Sequence, residues 1–304
     1  MNYTMKEEMN MKQERLKALL RCCLCFVLAA SGMFLLMGLL TGVATICKNE
    51  FLLLALSGKQ QDAVKGALSK LILSILQYTP FIAVSILMTT KAWKYKLSDI
   101  GLTSIKKDWK AFVVGLFVGV AGISIAFLCL ILSGSIKLTG GTFHYLNCVI
   151  ITFLAYILVG FGEEIFFRGL IMLTLKPLGS KRLVAIVTAV IFAAMHLGNN
   201  GVTILAFGNL FFFGLFATFC YIRSGNIWLP IGFHITWNFV QGNIYGFHVS
   251  GNADYSLISH KVLKENLFTG GAFGPEGGLG VTIALFLCFA FAFLYYRNTK
   301  SYAI

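Results

Sequence analysis

Two adjacent carboxylates, Glu163 and Glu164, lie in an apolar stretch and are followed four residues later by a cation, in Gly160-Phe161-Gly162-Glu163-Glu164-Ile165-Phe166-Phe167-Arg168-Gly169. Two histidines have similar surroundings. His196 closes Phe192-Ala193-Ala194-Met195-His196, and His234 opens His234-Ile235-Thr236-Trp237-Asn238. A carboxylate beside imidazoles in a low-dielectric cavity can deprotonate water, because burial raises a carboxyl pKa towards the working range of a general base. On a helix His234 and Asn238 share a face, so an imidazole and an amide can be offered to one developing oxyanion.

The same geometry separates the two glutamates. Glu164 and Arg168 are four apart on one face and can form the ion pair that lets both charges exist in an apolar setting. Glu163 points about 100° away from Glu164, has no intrahelical cation at the right spacing, and is the freer carboxylate. The competing reading is that these groups only bind helices together by hydrogen bonds. That explanation suits a single histidine better than six polar residues on three helices.

The elements that must position them are membrane helices. With 58% hydrophobic and 12% charged residues, four prolines and a mean hydropathy of +0.80, the chain lacks the polar surface of a soluble domain. Disorder and coiled coil are excluded by the same composition. Eight apolar runs, at roughly 24–46, 68–90, 111–133, 147–175, 183–199, 203–222, 227–246 and 278–296, predict an all-α polytopic membrane protein with about eight transmembrane helices. The fourth run is long enough to tilt, to break at Gly160 or Gly162, or to continue along the interface. The predicted organisation is an N-terminal tail with three helices over 1–146, a catalytic core over 147–245, and a loop, last helix and tail over 246–304. The polar stretch before the first run reads as the start of an uncleaved anchor. No repeat is visible, and the Gly-rich loop 247–277 carries no readable role.

A net charge of +13 does not indicate nucleic acid, because the basic residues sit in short clusters between apolar runs. Seventeen of the 25 Lys and Arg fall on one side of the expected topology and six on the other. The six are Lys48, Lys59, Lys65, Lys137, Lys261 and Lys264; the remaining two, Lys70 and Arg168, lie within helices. This asymmetry places both termini in the cytoplasm, of a cell membrane if the source is bacterial. The distances from Glu163 to Lys176, Arg182 to His196 and Arg223 to His234 correspond to about 20, 21 and 17 Å of helix, so the three side chains share a depth. His196 lies just before the turn Gly198-Asn199-Asn200-Gly201, which leaves either membrane face open as the route of access. The eight cysteines, Cys22-x-x-Cys25 included, read as small apolar filler.

Three ordered motifs, Glu-Glu-x-x-x-Arg (Glu163, Glu164, Arg168), Phe-x-x-x-His (Phe192, His196) and His-x-x-x-Asn (His234, Asn238), resemble those of the type II CAAX prenyl endopeptidases and the related bacteriocin-processing and immunity proteins. Arg223-Ser224-Gly225-Asn226-Ile227-Trp228-Leu229-Pro230 is similar to that family's lead-in to its last motif. The resemblance covers about 147–245. It implies peptide-bond hydrolysis in the membrane, with Glu163 and His196 activating water, His234 and Asn238 steadying the oxyanion, and Glu164 and Arg168 holding the site's shape. It also implies CAAX-type or bacteriocin processing, or immunity, and a membrane-associated peptide or protein as substrate, with the lipid bilayer as the other partner. Oligomeric state is not legible. No cofactor is expected. The alternative is a zinc hydrolase with Glu163, His196 and His234 as ligands, although His-Glu-x-x-His is absent. Two readings from other classes are a catalytically idle binding or immunity protein and a transporter with Glu163 as its ion site; repeats or paired broken helices, common in transporters, are not seen.

The charge asymmetry makes a direct prediction. A reporter fused after residue 300 is expected on the cytoplasmic side, and one inserted near Gly140 outside; the opposite labelling would overturn the arrangement.

Overall fold

The computed structural model describes residues 3–58 and 62–299. Lys59 and Lys300, both counted in the charge asymmetry, lie outside them. All eight apolar runs form helices. The chain passes through α1 (Tyr3–Ile46), α2 (Glu50–Ser57), α3 (Ala63–Leu87), α4 (Ile105–Leu132), strand β1 (Ile136–Gly141), α5 (Leu146–Glu164), α6 (Met172–Leu175), α7 (Lys181–Ala194), α8 (Ile204–Ser224), α9 (Trp228–Phe239), strand β2 (Ile258–Val262) and α10 (Leu279–Tyr295). Five helical segments among the described residues are long and apolar enough to cross a membrane: Met9–Ile46, Ala63–Ala92, Leu97–Leu132, Phe143–Leu178 and Ile204–Ser224. The expected number of about eight is therefore reached in helices but not in full-length spans. The runs at 183–199, 227–246 and 278–296 yield α-helices of 14, 12 and 17 residues.

Capping sets several helix starts. The side chains of Asp62 and Thr203 accept from the backbone N–H groups of Lys65 and Ala206, at 2.9 and 3.1 Å, and so satisfy donors that the first turns leave open. Large apolar side chains remain exposed on the outer helices, among them Phe34, Phe117, Leu132 and Phe293. Such faces suit the lipid surroundings that the apolar helices imply.

The fourth run does not break at Gly160 or Gly162. A Cβ on Gly160 would stand 2.5 Å from the Ile235 side chain, and one on Gly162 would stand 2.7 Å from the Tyr78 ring. These glycines let α5 approach α9 and α3 closely, and the backbone stays helical through both. The irregularity comes later, where Ile165–Ile171 is π-helical. Such a widened turn is common beside functional groups. The fifth run also differs, since α7 stops at Ala194 and residues 195–198 form turns, leaving His196 just beyond the helix. A further departure is the antiparallel pairing of β1 with β2, which ties loop 247–277 to the chain after α4.

α9 is buried along almost its whole length and packs against α4, α5 and α8. Its approach to α4 is close enough for backbone contact. A Cβ on Gly115 would stand 2.2 Å from the Leu229 carbonyl oxygen, and one on Gly119 2.2 Å from Thr236 Oγ1 and 2.4 Å from the Phe233 carbonyl oxygen. Thr236 Oγ1 donates to the Leu116 carbonyl at 2.8 Å across the same seam. Small residues four apart are how membrane helices achieve this distance. Gly119→Leu is expected to force α4 off α9 and to lower thermal stability in detergent by about 2–3 kcal/mol, the range of an overpacked core. Gly38→Leu, at a position with nothing within 4 Å, is expected to leave the melting temperature unchanged.

Candidate active site

Glu164 is the electrostatic centre. It lies at the end of α5, fully buried, and its Oε1 accepts from Arg168 Nη1 at 3.0 Å and from His234 Nδ1 at 2.8 Å. Arg168 is equally buried. Its guanidinium stands 4.4 Å above the Phe192 ring, and its Nη2 donates to the Gly214 carbonyl at 3.4 Å. A cation over an aromatic face gains from the ring quadrupole where no water competes. His234 is enclosed by Phe213, with ring centroids 5.0 Å apart, and by Phe192 at 6.3 Å. One carboxylate oxygen thus fixes an arginine from its own helix and a histidine from α9.

Glu163 faces the other way. Its Oε1 accepts from the Tyr78 hydroxyl of α3 at 3.0 Å. Its Oε2 has no hydrogen-bond partner in the protein and stands 3.8 Å from His234 Nε2. Burying a carboxylate oxygen without a donor is costly, and Glu164 Oε2 behind it is unpartnered in the same way. His196 is half-buried, with Nδ1 2.9 Å from the Phe192 carbonyl oxygen. A carbonyl only accepts, so Nδ1 carries the hydrogen and the neutral ring keeps its lone pair on Nε2.

Glu163, His196, His234 and Asn238 all line one cavity of about 740 Å³. Glu164 and Arg168 stand behind its wall. Their absence from the lining suits groups that orient the reacting residues without touching a substrate. The cavity opens towards the connection between α2 and α3, the turn after His196 and loop 247–277, which contribute Gly58, Asn199, Ser250 and Asp254 to its wall. This is the side opposite Lys176 and Arg223.

Four further polar groups in the wall escaped sequence reasoning. Tyr78 looks like any aromatic of an apolar run. Lys70 is marked by lying within a helix, but its partner Asp254 belongs to a loop that is 184 residues away in sequence. Glu276, also in that loop, is buried, and its Oε2 accepts from the N–H and hydroxyl of Ser250 at 2.5 and 2.9 Å. Burial pushes its carboxyl above the ordinary carboxylate range, with the Ser250 bonds and the nearby His196 acting in the opposite direction. Loop acids are expected in water, so neither Asp254 nor Glu276 gave a signal. The eight cysteines are free thiols, Cys22 and Cys25 among the buried ones. Among the described residues no three His, Cys, Asp or Glu side chains gather as a metal-holding set, so Glu163, His196 and His234 do not stand as a ready zinc site.

The double role of Glu164 Oε1 predicts unequal mutants. Glu164→Gln leaves the Arg168 cation without its carboxylate and is expected to cost about 3–5 kcal/mol of stability, the typical loss when one partner of a buried pair is removed. Glu164→Gln with Arg168→Met should recover part of that loss without restoring activity. Thermal unfolding of the purified variants reads this, and a fully stable Glu164→Gln protein would show that the pair is dispensable.

Comparison with known families locates one match, at residues 145–240, to the model described as Type II CAAX prenyl endopeptidase Rce1-like. No curated protein and no solved structure matches the chain. The matched segment runs from the start of α5 to the end of α9 and so contains Glu163, Glu164, Arg168, His196, His234 and Asn238. The chain is a multi-helix membrane protein whose residues 145–240 are similar to the domain of the type II CAAX prenyl endopeptidase Rce1-like family, a family of proteases.

Proposed function

We propose that the protein is an intramembrane endopeptidase that hydrolyses a peptide bond of a membrane-associated peptide or protein with water activated by Glu163. The observation that carries this reading is the Glu163 carboxylate on the cavity wall, held by Tyr78 through one oxygen, while the other has no hydrogen-bond partner in the protein and stands 3.8 Å from His234 Nε2. A water molecule at Oε2 loses a proton to Glu163 while its oxygen bonds to the scissile carbonyl carbon, and His196 Nε2 is the second acceptor on the cavity wall. The carbonyl oxygen becomes an oxyanion, which the Asn238 amide and, in its imidazolium form, His234 Nε2 stabilise by donation. Collapse breaks the C–N bond, and the proton taken from water passes to the leaving amine. Glu164 acts through His234, since its bond to Nδ1 fixes which ring nitrogen faces the reaction.

The face of the membrane follows from combining charge with geometry. With both termini in the cytoplasm, the cavity opens on the outer face, because its wall is built from the connections that carry few basic residues. That arrangement favours processing of an exported or outward-facing membrane peptide, as in bacteriocin maturation, over cytoplasmic CAAX processing. If the termini were outside, the mouth would face the cytoplasm and the CAAX reading would take precedence.

Glu163→Gln keeps the shape of the side chain and removes its basicity. It is expected to reduce cleavage by a factor of 10² or more, the usual contribution of a general base, at an unchanged melting temperature. Activity is expected to survive prolonged dialysis against a strong zinc chelator; loss that zinc alone restores would transfer the site to a metal mechanism with Glu163, His196 and His234 as ligands.

A further inference from the structure

The connection between α3 and α4 concentrates positive charge at one end of the bundle. Residues 91–110 hold six lysines, Lys91, Lys94, Lys96, Lys106, Lys107 and Lys110, against Asp99 and Asp108, a formal charge of +4. All six lysines are exposed, and none forms an ion pair among the described residues. Both aspartates are engaged locally: Asp99 Oδ2 accepts from the Lys96 backbone N–H at 2.8 Å, and Asp108 Oδ2 from the Thr103 hydroxyl at 2.6 Å. The segment is pinned at the same end as Arg223. The Tyr221 hydroxyl donates to the Asp99 carbonyl at 3.4 Å, and Trp228 Nε1 donates to the Thr103 carbonyl and hydroxyl at 3.2 and 3.1 Å. Charge asymmetry assigns this end to the cytoplasm, opposite the mouth of the cavity. Exposed Tyr95 and Trp109 belong to the same segment, and such side chains settle at the level of lipid headgroups.

Next to this segment lies an apolar groove of about 580 Å³, walled by Ile82 and Ile86 of α3, Leu158 and Phe161 of α5, Ile105 of α4 and Trp228 of α9, among others. The polar side-chain atoms of its wall, Thr103 Oγ1 and Trp228 Nε1, are bonded to each other, so the wall calls for hydrocarbon. α5 turns Tyr156 and Glu163 to the cavity and Phe161 and Ile165 to the groove, which keeps the two spaces apart. Basic residues flank the groove in sequence on both of its outer walls. Lys106 and Lys107 directly follow Ile105, and Lys91 comes five residues after Ile86. A space of this size suits a bound small molecule, and a cluster of about 4–8 basic residues beside a membrane helix attracts anionic headgroups. An apolar groove alone would take any lipid, whereas unpaired lysines beside it select for negative charge. We propose that the groove is a binding site for an anionic glycerophospholipid, with one acyl chain against Ile86 and Leu158 and the phosphate on Lys106 and Lys107. Such a site is independent of the endopeptidase reading.

The test is native mass spectrometry of the purified full-length protein in detergent, titrated with dioleoyl phosphatidylglycerol or dioleoyl phosphatidylcholine, which share their chains and differ in headgroup charge. The first phosphatidylglycerol is expected to bind about tenfold or more tightly than the first phosphatidylcholine, as for a phosphate engaged by two or more lysines. Lys106→Gln with Lys107→Gln should bring phosphatidylglycerol down to the phosphatidylcholine level and leave phosphatidylcholine binding unchanged. Lys12→Gln with Arg15→Gln removes the same charge from the N-terminal segment and should preserve the preference. Ile86→Trp fills the groove and should weaken the binding of both lipids; Leu158→Trp, on the opposite wall, repeats the measurement should the first variant fail to fold. Glycerophosphoglycerol, the same headgroup without chains, should not displace the bound lipid. Equal binding of the two lipids by the wild type, a preference that survives loss of Lys106 and Lys107 or falls equally in the N-terminal variant, or unchanged lipid binding by a folded groove variant would each overturn the proposal, as would displacement by the chain-free headgroup.

Discussion

The site depends on a single carboxylate oxygen, Glu164 Oε1, on a side chain that is fully buried. Arg168 neutralises it from the same helix, and His234 donates to it from α9, so one buried anion joins the helix of Glu163 to that of His234 and Asn238. Because both ions are fully buried, neither can be removed without leaving the other uncompensated. The aromatic rings of Phe192 and Phe213 close this assembly against exchange with solvent. The adjacent glutamates differ in their partners: Glu164 holds Arg168 and His234 behind the cavity wall, and Glu163, on the next face of the helix, is held by Tyr78 and lines the cavity.

Close packing makes this arrangement possible. Lipid supplies no hydrophobic force between helices, so their association relies on contact area and interhelical hydrogen bonds. Glycines on α4 and α5 allow α9 to sit against both at backbone distance, and Thr236 adds a hydrogen bond along the α4 seam. That central seat allows α9 to be short, 12 α-helical residues continued by the five π-helical residues Val240–Ile244, because it is enclosed by neighbouring helices and does not need to span the bilayer against lipid. The π-helical turn after Glu164 stays buried for the same reason.

Loop 247–277 gives the cavity its outer wall. Asp254 is fixed by Lys70 and Tyr156, Glu276 by Ser250, and β2 by its pairing with β1, so the segment is held at several points. The contacts of Asp254 lie on α3 and α5, which also carry Tyr78 and Glu163. Tyr78, Lys70, Asp254 and Glu276 all fall outside the segment 145–240 matched by the family model, so this chain completes its cavity with groups beyond that domain.

The sequence by itself determined the helical membrane class, the places of the apolar runs and the identity of the embedded polar residues. The reason is that lipid makes each unpaired charge conspicuous, and helical periodicity relates Glu164 to Arg168 and His234 to Asn238 locally. Tertiary structure alone decided that Glu164 also holds His234, that Tyr78 holds Glu163, that three helices are short, and that the glycines of α5 serve close packing, where a tilt, a break and a continuation along the interface had all been open. Those outcomes depend on which helix faces meet, a relation between residues far apart in the chain. Loop carboxylates were illegible for the same reason: Asp254 and Glu276 are ordinary in composition, and only their burial against Lys70 and Ser250 gives them a place in the cavity wall.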